Sequence, residues 1–219
     1  AAAGRLFEQA KKIAQGAAMM TNTEVAIEVL SAVWPVRCNQ TIAEAINRNI
    51  EAIGMPVWTE EEHAFGRALQ KAAGLREEGL KQEFTRVTGP AKQIAASNDC
   101  GDVSWKVPMG RVSFPGNIPN VPYHHWAAGA ALTTSIAHKG GYVGAQALAA
   151  SVIDFLRDPE LVAEAKGTFR HEIGDVAYTS LIPQGQHPQI TLNETMMEKF
   201  RPAMEAHYVK KSPEFTVGV

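Results

Sequence analysis

The first 33 residues change from a helical to a strand-like pattern of apolar positions. Apolar residues recur every three or four positions from Leu6 to Met20, which is typical of an amphipathic helix. After the polar break at 21–23, apolar and polar residues alternate from Val25 to Val29, and this period of two predicts a strand with one face in water. The pattern therefore predicts a small open-faced α+β unit that ends near Trp34-Pro35.

Several further helices carry clear start signals. Thr41 with Glu44, and Thr59 with Glu62, have the spacing of capping boxes, and each is followed by an apolar stripe that ends at a glycine. Asp158-Pro159 predicts the start of a later helix. Before it, residues 142–156 are apolar nearly all round, which predicts a helix buried on most sides.

Residues 89–141 show few helical stripes and contain five prolines and seven glycines. Short strands are predicted at Val103–Val107 and Arg111–Phe114. Long irregular segments within a compact chain are usually either functional or disordered. This one holds several aromatic residues and three of the seven histidines, which argues against disorder. We therefore expect the functional site in this segment.

Composition narrows the class of protein. The chain has 219 residues, of which 45% are hydrophobic and 20% charged, as in a soluble globular protein with a sizeable core. A formal net charge of −2 argues against a general nucleic-acid binder, and no run of about 18 apolar residues predicts a membrane span. Cys38 and Cys100 cannot form a disulfide framework, so we interpret them as reduced thiols of a cytoplasmic protein.

The clearest candidate ligand lies in the sequence Pro-Asn-Val-Pro-Tyr-His-His-Trp at 119–126. A proline-stiffened loop can fix an imidazole where a metal ion needs it. Adjacent residues of an extended segment point to opposite sides, so at most one of His124 and His125 should bind a given ion. The alternative is a surface pair of histidines beside a packed Trp126.

Other polar residues allow both functional and structural interpretations. Asp99 and Asp102 flank Gly101, so they could form a turn, bind a metal or accept a hydrogen bond from a metal-binding histidine. His138 stands just before two glycines and could contact an anionic substrate, or it could lie in a plain turn before the helix. Cys100 could be a nucleophile, although no glycine-rich elbow supports this.

Four segments together resemble the aminobenzoyl-glutamate hydrolase-like amidohydrolases. Residues 13–23 resemble the last helix of the lid domain in that family. Residues 97–105 are similar to its S-x-D-x-G-D-V-S-W segment, 122–126 to its P-x-H-x-W segment and 136–140 to its G-H-K-G segment. They follow the family's order and cover nearly the whole chain, with Ala137 in place of the usual glycine.

The resemblance implies an α/β fold and two domains. Residues 1–33 would be the C-terminal piece of a ferredoxin-like α+β lid, contributing its last helix and strand. Residues 34–219 would be the C-terminal part of a zinc-peptidase-like, three-layer α/β/α catalytic domain. Lids of this family usually dimerise, so we expect a homodimer formed through the lid.

The resemblance also implies a metal-dependent amidohydrolase. The expected substrates are small amide or dipeptide-like molecules, namely N-acyl or N-aroyl amino acids and small peptides, cleaved by a water that two divalent ions (Zn or Mn) activate. His124 matches the family's last metal ligand, and His125 occupies a slot that usually holds a small polar residue. Asp102, His125 and His138 are expected to support a ligand or contact the substrate.

The remaining catalytic parts of the family lie upstream of the lid. They are the first metal ligands and the general-base glutamate, whereas the resemblance implies that this chain begins within the lid. We therefore expect the C-terminal portion of a larger enzyme, with no catalytic residue of its own and no activity without the missing N-terminal segment. The alternative function is a non-catalytic binding or assembly module that retains the family's C-terminal architecture.

Overall fold

The computed structural model describes residues 2–86 and 98–208, and within these ranges it contains eight helices and no strand. The helices are α1 (Ala2–Thr21), α2 (Gln40–Ile53), α3 (Glu60–Ala72), α4 (Cys100–Ser104), α5 (Trp126–Ala131), α6 (Ser135–Arg157), α7 (Pro159–Ile173) and α8 (Glu194–Glu205). None of them combines the length and apolarity needed to cross a bilayer. Ser97, the first residue of the motif at 97–105, lies outside the described residues.

The predicted α/β class is wrong for the part of the chain that the structure describes, which is helical throughout its regular elements. The segment at 111–114 shows why. Val112 and Phe114 pack against a buried cluster on α2 and α6, while the alternating residues Arg111 and Ser113 are exposed. This is the alternation of a strand, but no segment in the described ranges forms a ladder with it.

The other two predicted strands are also absent from the described ranges, for different local reasons. Val25 and Ile27 remain 42% and 41% exposed, so the alternation at 25–29 does not bury a face. At 103–107 the chain instead ends the short helix α4, whose first N–H group is bonded to the Asp99 carboxylate at 3.1 Å. Helix capping by Asp99 therefore outweighs the β-propensity of the two valines.

The predicted helix starts are mostly confirmed. Thr59 caps α3 and Glu62 completes the capping box, and α7 begins at the predicted Asp-Pro pair. The first predicted box is wrong, because Asn39 rather than Thr41 caps α2. The Thr41 hydroxyl instead lies 2.9 Å from the Thr168 hydroxyl of α7, so it joins two helices.

The described residues divide into two compact units. One comprises those within Ala1–Ala32 and Leu181–Val219, including α1 and α8. The other comprises those within Val33–Ser180, and all the candidate site residues belong to it. The assignment of 1–33 to a lid and 34–219 to a catalytic domain stays a prediction.

The Val33–Ser180 unit is built around α2, which packs against α6 and α7. Ile46 and Ile50 of α2 form one apolar cluster with Ala147 of α6. Beside it, Asn49 donates a hydrogen bond to the Asp154 carboxylate at 2.7 Å. A second cluster joins α3 and α5 to the loops at 80 and 118–121; its buried members are Leu69, Leu80, Ile118, Val121, Ala127, Ala128, Ala131 and Ile136.

Candidate functional site

A fully buried glutamine anchors the loop that carries the two adjacent histidines. The Gln70 amide nitrogen donates to the carbonyl oxygens of Gly79 at 3.2 Å and Pro119 at 2.9 Å. Its amide oxygen accepts the backbone N–H groups of Glu78 and Gly79, both at 2.9 Å. These bonds tie the beginning of residues 117–126, here called the histidine loop, to the turn at 78–79.

Apolar side chains hold the rest of the histidine loop. Ile118 and Val121 are 2% and 8% exposed and share a cluster with Ala127, the second residue of α5. Between them Asn120 has a φ of +65°, a left-handed conformation that asparagine tolerates better than most residues. The exposed His124 therefore lies on a loop that is anchored on both sides.

The two histidines have different surroundings. His125 is the N-cap of α5, since its Nδ1 accepts the backbone N–H of Ala127 at 3.2 Å. In the neutral ring the proton must then lie on Nε2, which leaves no free nitrogen lone pair for a metal ion. Small polar residues are the preferred N-caps, and here the His125 ring takes that role. Of the pair, His124 is the side chain open to solvent.

The neighbours of His124 and His138 meet at one groove. Tyr123 and Ala137 both line it, and its volume is about 560 Å³. The other lining residues are mostly apolar or glycine: Val112, Phe114, Gly116, Asn117, Leu132, Gly140, Gly141, Gly144, Ala145 and Leu148. The predicted site residues His124, His138 and Asp102 are not among the residues that line it.

Asp102 is engaged with a tyrosine rather than with a histidine. Its Oδ1 accepts the Tyr178 hydroxyl at 3.0 Å. This hydrogen bond, together with burial and the charge of Asp102, raises the pKa of Tyr178 above its usual value. The Tyr178 ring also lies beside Trp34, with 5.6 Å between the ring centroids. Asp102 therefore helps to fix an aromatic cluster.

Two tryptophans form the centre of that cluster. The rings of Trp34 and Trp105 are 4.7 Å apart between centroids and inclined by 58°. Trp105 donates to the Pro35 carbonyl at 2.9 Å, and the Arg37 guanidinium lies 4.9 Å from its ring centroid. Trp34 donates to the Thr179 carbonyl at 2.8 Å. The last residue of the motif at 97–105 therefore joins α4 to the segment at 34–37.

The sequence His-Lys-Gly-Gly at 138–141 lies within α6, which begins at Ser135, so the interpretation as a plain turn before the helix is wrong. Its lysine reaches α3, where Lys139 Nζ is 2.8 Å from Glu62 Oε2. Burial of Glu62 raises its pKa, but hydrogen bonds from Lys139, Ser135 and the Thr59 backbone, and the charge of Lys139, lower it more strongly, to about 2. The first glycine permits a close approach, since a Cβ atom on Gly140 would lie 2.3 Å from the Pro115 carbonyl oxygen.

The described residues do not form a metal site by themselves. They contain no group of three or more His, Cys, Asp or Glu side chains able to hold an ion. His124 is exposed, His125 caps a helix and Asp102 binds Tyr178, so the predicted residues do not converge. Burial raises the pKa of the Cys38 thiol, which disfavours the nucleophilic thiolate at that residue, and Cys100 is the first residue of α4.

Sequence reasoning missed two residues that organise the site. Gln70 lies next to Leu69 on the buried side of α3. The apolar pattern of this helix does not indicate that the Gln70 amide makes four hydrogen bonds. Tyr178 follows α7 in a stretch without a motif, and only the folded chain brings it to Asp102. In both cases the role of the residue depends on a contact with a residue distant in sequence, which the local sequence does not indicate.

Comparison with known proteins supports the family resemblance. The chain is similar to amidohydrolases of the aminobenzoyl-glutamate hydrolase type, over their C-terminal part. The relative behind this likeness is a p-aminobenzoyl-glutamate hydrolase subunit of Escherichia coli (strain K12), with 28% identity over 208 residues. The match covers 84% of this chain and 43% of the relative, so the chain spans less than half of that protein's length. No family model matches the chain. No solved structure matches it either.

Proposed function

We propose that this chain is part of a metal-dependent amidohydrolase, and that His124 is one of the metal ligands of the complete enzyme. The observation that carries the proposal is the contrast within the histidine pair. His125 is committed to capping α5, whereas His124 is exposed on a loop held by Gln70 and by two buried apolar side chains. A fixed backbone with one free imidazole is what a metal ligand requires.

The relative supports the substrate class. Its name assigns it hydrolysis of p-aminobenzoyl-glutamate, in which an aromatic acid is joined to the amino group of glutamate by an amide bond. We propose that this protein likewise cleaves the amide bond of N-acyl or N-aroyl amino acids or small peptides. The groove beside Tyr123 and Ala137, with its mostly apolar lining, is the candidate surface for the acyl or aroyl part of the substrate.

The metal ions require further ligands. A lone histidine does not make a site of three or four ligands, and the described residues offer no other group that would complete one. We therefore propose that the remaining ligands of two divalent ions, Zn or Mn, and the general-base glutamate belong to a part of the protein that this chain does not contain. No step of the reaction is assigned to the residues of this chain alone.

The experiment compares the isolated chain with the longest protein that its gene encodes. Both are incubated with p-aminobenzoyl-glutamate and with a dipeptide, and bound metal is measured. Hydrolysis is expected from the longer protein and not from the isolated chain. In the longer protein His124→Gln should reduce bound metal and abolish hydrolysis, while His125→Asn, which retains a capping side chain, should preserve both. Full activity of the isolated chain, or of His124→Gln, contradicts the proposal.

A second candidate is a non-catalytic binding or assembly module. The observation that favours it is an exposed apolar face on α6, which is a surface suited to contact with another polypeptide. This function predicts that the longest encoded protein binds no metal ion and hydrolyses neither substrate. The same experiment therefore distinguishes the two functions.

A further inference from the structure

Helix α6 has two different sides. Its buried residues are Ile136, Gly140, Ala147 and Ser151, which face α2 and the neighbouring loops. Between residues 141 and 156 the opposite side is exposed yet apolar, and we call this part of it the α6 face. It consists of Tyr142, Ala145, Leu148, Ala149, Val152, Ile153 and Leu156, with Gly141 and Gln146 at its edges. No charged residue belongs to it.

The α6 face is continuous and large. At about 100° per residue its positions fill an arc of about 160°, and they extend for about 22 Å along the helix. Leu148, Val152 and Ile153 are each about half exposed, and Leu156 is 78% exposed. At Leu148 the face continues into the groove that Phe114 and Leu132 also line. A solvated helix face is normally charged, and contiguous apolar surface of this extent marks an interaction site.

The width of the arc indicates the kind of partner. A pair of helices in a coiled coil buries only a narrow seam of a and d positions, whereas a helix that faces a domain core has an apolar stripe of about 100° or more. A second copy packing α6 against α6 would therefore leave much of this face in water. A partner with a broad, uncharged, apolar surface would cover the α6 face more completely.

We propose that the α6 face is covered by the polypeptide that corresponds to the part of the relative outside the match. That part amounts to more than half of the relative's length, so it is large enough to present such a surface. The inference rests on the likeness to a longer protein and on the exposure of α6. It does not require that the complete protein be a hydrolase.

The test measures binding between two polypeptides. The coding sequence that precedes residue 1 in the source gene is expressed as a separate polypeptide, and its affinity for this chain is measured by calorimetry. Binding is expected, and Val152→Glu should weaken it by about 100-fold, because the new carboxylate would be buried without a partner. Leu156→Glu serves as a second variant. Ile190→Glu is the matched control, since Ile190 is 88% exposed in the other unit and should leave affinity unchanged.

Several outcomes overturn the proposal. These are a source gene that encodes no preceding polypeptide, a lack of binding, and binding that both α6 variants leave intact. A stable dimer of the isolated chain that Val152→Glu dissociates would assign the face to a second copy instead. Because both altered side chains are exposed, the thermal unfolding of the isolated chain should not change. If both variants instead unfold at a clearly lower temperature, the α6 face is already covered within the chain, and this result also overturns the proposal.

Discussion

Lys139 Nζ lies 2.8 Å from Glu62 Oε2, and this ion pair joins the first turn of α3 to α6. The Ser135 hydroxyl donates to the other carboxylate oxygen at 2.6 Å, and the Thr59 backbone N–H donates to Oε2 at 2.8 Å. One mostly buried carboxylate thus accepts from three groups. The ion pair therefore links the segment at 136–140 to the capping box of α3.

Replacing that carboxylate should destabilise the chain. Glu62→Gln removes the charge facing Lys139 and leaves at least one donor without an acceptor, so the free energy of unfolding should fall by about 1–3 kcal/mol. Urea denaturation followed by circular dichroism measures this. Glu61→Gln is the control, because Glu61 lies in the same helical turn but is exposed, and its loss should change stability by less than about 1 kcal/mol. Equal effects of the two substitutions would contradict the assignment.

The same carboxylate predicts an acid-dependent loss of stability. The pKa of Glu62 is lowered from 4.5 to about 2 in the folded chain. A carboxyl group whose pKa is lower in the folded than in the unfolded chain stabilises the fold at pH values above its unfolded-state pKa. This contribution is lost as the pH falls from about 5 towards 2. Stability curves of wild type and Glu62→Gln should therefore converge at low pH. A difference between them that stays constant from pH 7 to pH 2 would exclude this role.

Two adjacent glycines in α6 should respond in opposite ways to the same substitution. A Cβ atom on Gly140 would approach the Pro115 carbonyl oxygen to 2.3 Å and its carbon to 2.7 Å, so Gly140→Ala should cost about 1–3 kcal/mol. Gly141 has open space around its Cβ position, and Gly141→Ala should stabilise the helix by about 0.5–1 kcal/mol. Thermal unfolding of the two variants checks both signs.

The buried amide of Gln70 should control the order of the histidine loop. Gln70→Leu leaves the N–H groups of Glu78 and Gly79 and the Pro119 carbonyl unpaired, which should cost about 2–5 kcal/mol. Gln70→Glu keeps the acceptors but loses both donors, and protonation of the introduced carboxyl group restores one. Its stability relative to wild type should thus improve as the pH falls. Hydrogen exchange at 117–121 should be faster in both variants; unchanged protection there would refute the anchoring role.

The hydrogen bond between Asp102 and Tyr178 can be followed by ultraviolet titration. The Asp102 carboxylate raises the pKa of Tyr178, so Asp102→Asn should move the ionisation of this tyrosine back towards its ordinary value of 10. Tyr178→Phe identifies the corresponding transition in wild type by its disappearance. A titration curve that Asp102→Asn leaves in place would show that another group raises the pKa.

Local signals in the sequence predicted the helices well, because their information is contained within a few residues. The capping box of Thr59 and Glu62 and the Asp-Pro start of α7 both appear where the spacing placed them. The predicted strands were wrong because a strand depends on more than its own residues. Alternation at 111–114 is present in the structure, but a strand also needs a second segment, and none among the described residues supplies one.

In the candidate site too, features that depend on neighbouring residues could be predicted from the sequence better than those that depend on distant partners. The motif at 122–126 indicated the histidine loop from sequence, whereas the capping of α5 by His125 was not predicted. That at most one of the two adjacent histidines binds a given ion stays a prediction. The roles of Gln70 and Tyr178 depend on partners 49 and 76 residues away, and no pattern within either neighbourhood encodes them. The burial expected for α6 was also wrong, because an apolar sequence predicts a covered helix without saying what covers it.

The tryptophan pair gives the Val33–Ser180 unit an optical signature. Two indole rings at 4.7 Å and a 58° inclination couple their electronic transitions, and such coupling disappears when the rings separate. Trp34 and Trp105 come from segments 71 residues apart in sequence, so their joint circular dichroism band reports that the segment at 34–37 has docked on α4. Helical backbone signal can persist in a loosely packed chain, whereas this band requires fixed side chains. It would allow native packing of this unit to be followed without any label.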